Sequence, residues 1–173
     1  MPSIENPPAG KAMRSWPSEL DLIYNPSLGA YLIWQAALGH FKEEGRNMPF
    51  PLAFLVPPLV LHEQSRKLGF TTYSSSGLTL YASKLGAHQE DLFAVHTRML
   101  SLKELSLSSI ALASAAKLII VKADTAEILA ANLKPKSRLT DDMRRMGELS
   151  SKFGVWFSRL PLEQVAATLR VSF

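Results

Sequence analysis

The longest unbroken apolar stretch of the chain is Met48–Leu61, MPFPLAFLVPPLVL, in which every position is hydrophobic or proline. At about 25 cal/mol per Å² of apolar area removed from water, such a run belongs in a core or an interface. It is shorter than the ~20 residues of a membrane span and is interrupted by prolines. Pro57-Pro58 predicts a helix start, because proline suits the first turn and Pro58 holds the residue before it extended. The helix is expected to bury Leu59, Val60 and Leu61, run on through the polar HEQSRK, and close on a left-handed cap at Gly69. For Phe50–Val56, length and flanking prolines leave a short helix and an extended segment equally open.

Before this run, Asn25-Pro26 marks a helix start, with asparagine as N-cap and proline at the first helical position. Leu28, Tyr31, Leu32, Trp34, Leu38 and Phe41 recur at three- and four-residue steps and form one face, which Glu43, Glu44 and Gly45 end. This helix and the apolar run are expected to pack as an antiparallel pair. After Gly69, the Ser/Thr-rich FTTYSSSG offers Ser75 or Ser76 as the cap of a helix carrying Leu78, Tyr81, Ala82 and Leu85 and ending at Gly86. A second helix spans about 89–100. A third starts at Ser101, where Ser101-Leu-Lys-Glu104 has capping-box spacing, and reaches about Ala116.

The pattern then changes period. Leu118–Lys122 is β-branched and predicts a strand, with Glu127–Ala130 returning across Ala123–Ala126. That turn lacks the Asp-Gly expected of a tight hairpin. Three helices followed by a hairpin is the order of a winged-helix unit, over about 76–133. Thr140 then caps a long helix, with Asp141 and Asp142 in its first turn. Met146, Leu149, Phe153, Trp156, Phe157 and Leu160 form its buried stripe, and Arg144, Arg145, Glu148, Ser151, Lys152 and Arg159 its solvated side. A short helix with Val165, Ala166 and Leu169 follows Pro161. The fold expected is therefore mainly α, with a small winged-helix-like α+β unit built on one hairpin. Its parts are a Pro-rich flexible tail at 1–24, a helical layer at 25–69, the winged-helix-like unit at 70–135 and the closing helices at 136–173. Residues 25–173 are expected to form one compact unit.

Composition adds little to this. With 47% hydrophobic and 20% charged residues, the chain is an ordinary folding sequence. It has no cysteine, which excludes disulfides and thiolate metal sites and fits a cytoplasmic location. Four prolines and no apolar core in the first twenty residues argue against a secretory leader, and no membrane association is expected. The net charge of +4 is uneven. Residues 1–116 hold nine basic and nine acidic residues, and residues 117–173 hold ten and six, so the whole excess lies in the last third. This suits an acidic partner or, equally, a solvated helix face.

Candidate chemistry is sparse. His62-Glu63 lacks the second histidine of a zinc-protease motif, so His62 is expected to cap a helix or lie at the surface. His88, Asp91 and His96 fall on one helix, but His96 is two turns from His88 and a fourth ligand is missing. There is no Gly-x-Ser-x-Gly elbow and no Walker or dinucleotide glycine pattern. No enzymatic activity and no cofactor are expected. For DNA, the third helix offers Lys103, Glu104, serines and then Lys117, a poor set for reading bases. Lys134, Lys136, Arg138, Arg144 and Arg145 are the candidates for phosphate contact. Trp16, Phe50 and Phe54 are candidates for a partner interface, with Trp16 as easily stapling the tail to its own core.

Three segments carry a family resemblance. Asn25-Pro-Ser-Leu-Gly-Ala-Tyr-Leu-Ile-Trp34 and Met48–His62 resemble the "NPALxAxLLW" helix and "MPLPLLFLVLPLLLH" segment of the middle components of three-component ABC ATPase systems. Gly154-Val-Trp-Phe-Ser-Arg159 is similar to that family's "GRWFAR" helix. The resemblance runs over about 25–171 and carries no catalytic residue. It implies an adaptor subunit of a bacterial anti-phage or anti-plasmid complex of the Lamassu type, bridging an SMC/ABC-like ATPase and an effector, often a nuclease. DNA backbone contact would come through that complex. The competing reading from the element order is a small winged-helix DNA-binding regulator of transcription.

Overall fold

A computed structural model of the chain describes residues 25–87, 89–134 and 138–173, with the side chains of 89–91 left aside. The expected tail over 1–24, with Trp16, as well as His88 and Lys136, lies outside them. The first described helix, α1, is Pro26–Glu44, capped by Asn25, whose Oδ1 accepts from Leu28 N at 3.0 Å, and closed by Gly45 in the left-handed region at φ 67°. The apolar run that follows is not one helix. Met48–Pro49 forms a short strand, β1, Phe50–Leu55 a 3-10 helix, and Val56–Val60 a single α-turn, α2. Prolines at 49, 51, 57 and 58 withhold the amide donors that a continuous helix would need, so the chain takes short pieces.

The expected stop at Gly69 is not there. The chain breaks instead at His62, which is extended and caps a new helix, α3 (Glu63–Thr71), its Nδ1 accepting from Ser65 N at 3.3 Å. Gly69 lies inside α3, where a Cβ would come within 2.7 Å of a Leu149 methyl, so glycine serves close packing rather than a left-handed turn. The carbonyls left open at the end of α2 are met by buried Arg66, whose Nη1 donates to Val60 O (3.1 Å) and Leu61 O (2.8 Å).

A 3-10 turn at Ser74–Ser76 leads into α4 (Gly77–Gly86), then α5 (Gln89–Ser101) and α6 (Lys103–Ala115). The capping box expected at Ser101 does not form. Ser101 ends α5, its hydroxyl donating to Thr97 O at 2.9 Å, and Leu102 precedes α6 without a side-chain cap. Past α6, Lys117 turns left-handed and Leu118 N donates to Ala113 O, a six-residue closure that redirects the chain into β2 (Ile119–Lys122). β3 (Glu127–Ala130) pairs antiparallel with β2, from Ile119 opposite Ala130 to Lys122 opposite Glu127. Without Asp-Gly, the turn takes its positive φ at Ala126. β1 adds a third strand, Met48 opposite Ile128, giving the order β1-β3-β2.

The last elements are α7 (Asp141–Ser158), capped by Thr140 Oγ1 on Met143 N at 3.2 Å, and α8 (Leu162–Leu169). α7 is the main neighbour of α1. Tyr31 meets Gly147, Leu32 O accepts from Ser150 Oγ at 2.6 Å, and Glu43 meets Arg159, so the two helices run the same way. Glycine and serine at the crossings let their backbones approach closely. On the far side of α1, Gly29 sits against Ser109 of α6. Mainly helical with a small antiparallel sheet, the described chain shares one buried core, with Leu32, Ile33, Leu59, Tyr81, Ile128 and Trp156 among its fully buried side chains. Its aromatic centre is the set Tyr81, Phe153 and Trp156, with centroids 5.0–5.7 Å apart and near-perpendicular rings at Tyr81–Phe153 and Phe153–Trp156.

Candidate functional site

Phe50 and Phe54 lie on the 3-10 helix, their rings edge to face at 5.6 Å. Both are half-buried: each packs on the core with one side and leaves the other open. They form one wall of a cleft of about 300 Å³, with Pro51, Met99, Leu100 and Phe173 completing the apolar lining and Lys103 contributing its cation. Leu100 and Phe173 are each about half exposed, at 55% and 50%. Phe173 is brought here because Val171 is buried after α8 and Ser172 N donates to His96 Nδ1 at 3.4 Å. The Met48–Leu61 run thus divides its apolar side chains, most into the core and these two phenyl rings toward the surface. Trp16, the other aromatic expected at an interface, lies outside the described residues.

Four of the five basic candidates fall on described residues. Lys134 and Arg138 are exposed on the segment between β3 and α7, and Lys136 lies outside the described residues. Arg144 is exposed on the first turn of α7 and lies 3.8 Å from Asp141. Arg145 turns the other way, its guanidinium 4.9 Å above the Phe70 ring.

That rotation leads to a polar pocket of about 410 Å³, lined by Phe70, Ser74, Arg145, Glu148, Ser151 and Lys152 among others. Lys152 donates to Thr72 O at 2.9 Å and lies over the Trp156 ring at 5.5 Å. Its pKa is lowered, first by burial and then by the neighbouring Lys84 charge. Lys84 itself donates to Thr72 Oγ1 at 3.3 Å. Lys84 and Lys152 were not legible as a pair, since they sit on different helices and helical periodicity places Lys152 on the solvated side of α7. Next to them, Trp156 Nε1 and Arg159 Nη1 both donate to Ser74 O, at 2.8 and 3.0 Å.

The three described histidines take structural positions. His62 caps α3 and His96 accepts from Ser172 N. His40 is buried on α1, with Nδ1 3.0 Å from Arg46 O. A carbonyl only accepts, so Nδ1 carries a proton. Burial pushes the His40 pKa down, partly offset by that hydrogen bond. Among the described residues no three His, Asp or Glu side chains are placed to hold a metal ion, and no helix is long and apolar enough to cross a membrane.

Nothing among curated proteins or solved structures matches the chain. The family described as ABC-three component (ABC-3C) system Middle Component 3 matches residues 13–173, which takes in the whole described core, the apolar cleft and the polar pocket. With nearly the full length covered, this chain belongs to the Middle Component 3 family of ABC-3C systems.

Proposed function

We propose that the chain is a non-enzymatic adaptor that bridges the SMC/ABC-like ATPase and the effector of a cytosolic bacterial antiviral complex of the Lamassu type. Membership of a middle-component family implies partner subunits. The observation that carries the reading further is the apolar cleft of Phe50, Phe54, Leu100 and Phe173. Large apolar side chains held half open around a concavity mark a protein contact. Its occupant is a segment of the ATPase subunit that inserts an apolar side chain and sets a carboxylate opposite Lys103. Lys103 is exposed and makes no ion pair among the described residues, so the charge is available for such a partner. DNA reaches the assembly through phosphate contacts with Lys134, Lys136, Arg138, Arg144 and Arg145.

The alternative, a sequence-reading transcription regulator, is less well supported. In the winged-helix reading α6 would be the recognition helix, yet it exposes Lys103, Glu104, Leu107 and Leu112 in place of the Arg, Asn and Gln that read base edges. Co-expression with the co-encoded ATPase and effector, followed by purification through a tag on this chain, tests the adaptor reading. Both partners should be retained, and Leu100→Glu should release the ATPase. Purification of this chain free of both would overturn it.

A further inference from the structure

Two ammonium groups meet at one residue. Lys84 from α4 and Lys152 from α7 donate to the hydroxyl and the carbonyl of Thr72, and among the described residues neither has a carboxylate within ion-pairing distance. Arg145, held over Phe70, lines one pocket with Lys152, and Lys84 reaches Thr72 beside Lys152 without being on that lining. Glu148 is the acid on that lining, so two lining cations, with Lys84 beside Lys152, meet one carboxylate. The neighbouring Arg159 is already neutralised by Glu43 at 2.7 Å. The concavity therefore carries an excess of one positive charge, to which Lys84 adds from beside Lys152, and an anion would relieve the crowding.

Tyr73 lies in the chain between the Thr72 that both lysines hold and the Ser74 that lines the pocket, without itself being on the lining. Its ring is 80% exposed, the largest exposure of any large hydrophobic side chain among the described residues. An exposed ring next to a basic pocket matches the chemistry of unpaired nucleotides, whose phosphates need cations and whose bases need a flat apolar surface. A duplex keeps its bases inside and cannot use the ring. An acidic peptide would use the lysines and leave the ring idle.

We propose that this pocket binds a phosphate of single-stranded nucleic acid between Lys84, Arg145 and Lys152, with an unpaired base stacked on Tyr73. The site shares no lining residue with the apolar cleft and only Arg145 with the proposed DNA contacts, so Tyr73, Lys84 and Lys152 test it separately from the adaptor reading.

The full chain is titrated, by fluorescence anisotropy, with a labelled oligothymidylate of about 20 nucleotides and with a duplex of equal length. The single strand should bind tighter. Tyr73→Ala should weaken it about tenfold and leave the duplex unaffected. Lys84→Gln with Lys152→Gln should flatten the slope of log affinity against log salt by about 0.7, for the one phosphate no longer neutralised. Lys152→Arg should restore most of the loss, as a charge-keeping change. If the double variant does not fold, Tyr73→Ala alone decides, because its ring is exposed. Unchanged affinity in these variants, or equal affinity for the duplex, would overturn the proposal. Displacement by polyglutamate at matched charge would assign the pocket to an acidic protein, and displacement by adenosine monophosphate would assign it to a free nucleotide. Either result would overturn it too.

Discussion

Gly154 of α7 lies directly on the backbone of α1 at Ala36: a Cβ at position 154 would sit 2.8 Å from the Ala36 carbonyl carbon and 2.9 Å from His40 N. The obstructing atoms are main chain, so they cannot swing aside. Gly154→Ala gains about 1 kcal/mol of helix propensity but must force two helices apart, at a cost of about 1–3 kcal/mol or more. With main-chain atoms as the obstruction the cost lies at the upper end, and urea unfolding should show a net loss of about 2 kcal/mol. Gly147→Ala is the contrast, because there the Cβ meets the far end of the Tyr31 ring, which can move. A Gly154→Ala variant as stable as the parent would show that α1 and α7 do not approach this closely.

Arg66 should be costly to replace. Its buried guanidinium donates to Val60 O and Leu61 O, the carbonyls exposed where α2 stops. Arg66→Met fills similar space and leaves those acceptors without their charged donor, for a loss of about 2 kcal/mol. Thermal unfolding of the variant measures it. A change below a few tenths would mean that water serves the carbonyls equally well.

His40 makes stability depend on pH. Burial lowers its folded pKa below the ordinary value, so between the two values the unfolded chain binds the proton and the folded chain does not. The contribution is therefore complete above the unfolded pKa of about 6.5 and falls away as pH drops through the folded value. The melting temperature should decline from about pH 7.5 toward about 5.5, and His40→Gln should flatten that decline, even at lower absolute stability. Parallel declines in the two proteins would remove His40 from the account.

Leu100→Glu separates interface from fold. Leu100 is 55% exposed on the cleft wall, so the change should shift stability by no more than about 0.5 kcal/mol. If Leu100 anchors a partner, affinity for the ATPase subunit should fall by about 2 kcal/mol, near thirtyfold. Titration calorimetry against that subunit reads both the loss and its size. A normal melting temperature with normal affinity would place the contact elsewhere.

Much of the fold could be read where a local rule governs one position. Asn25-Pro26 and Gly45 bracket α1, Thr140 caps α7, and Glu127–Ala130 is a strand in sequence and structure alike. Errors fell where a local signal met a distant partner. Gly69 looks like a stop from its neighbours, yet Leu149, far along the chain on α7, is the reason for the glycine. Ser101-Leu-Lys-Glu104 has the spacing of a capping box, yet Ser101 is taken up by Thr97 O and extends α5. β1 could not be foreseen at all, because Met48–Pro49 has strand character only through its pairing with Ile128 and Glu127. The same holds for the sites. Phe50 and Phe54 stood out as aromatics in an apolar run, whereas Lys84 and Lys152 become a pair only when Thr72 lies between them.

The parallel match of α1 with α7 bears on how the protein is made. Ribosomes deliver α1 early, but the surface it fits best is delivered only after the helices and hairpin between them have emerged. Until then Leu32, Ile33, Ala36 and the other core positions of α1 have no permanent cover. The nascent chain must hold a long apolar helix in reserve while the loop between its two halves is closed, which is slow and invites aggregation. A subunit with this order of assembly gains from being translated beside its partners, and the arrangement of its genes would then be part of how it folds.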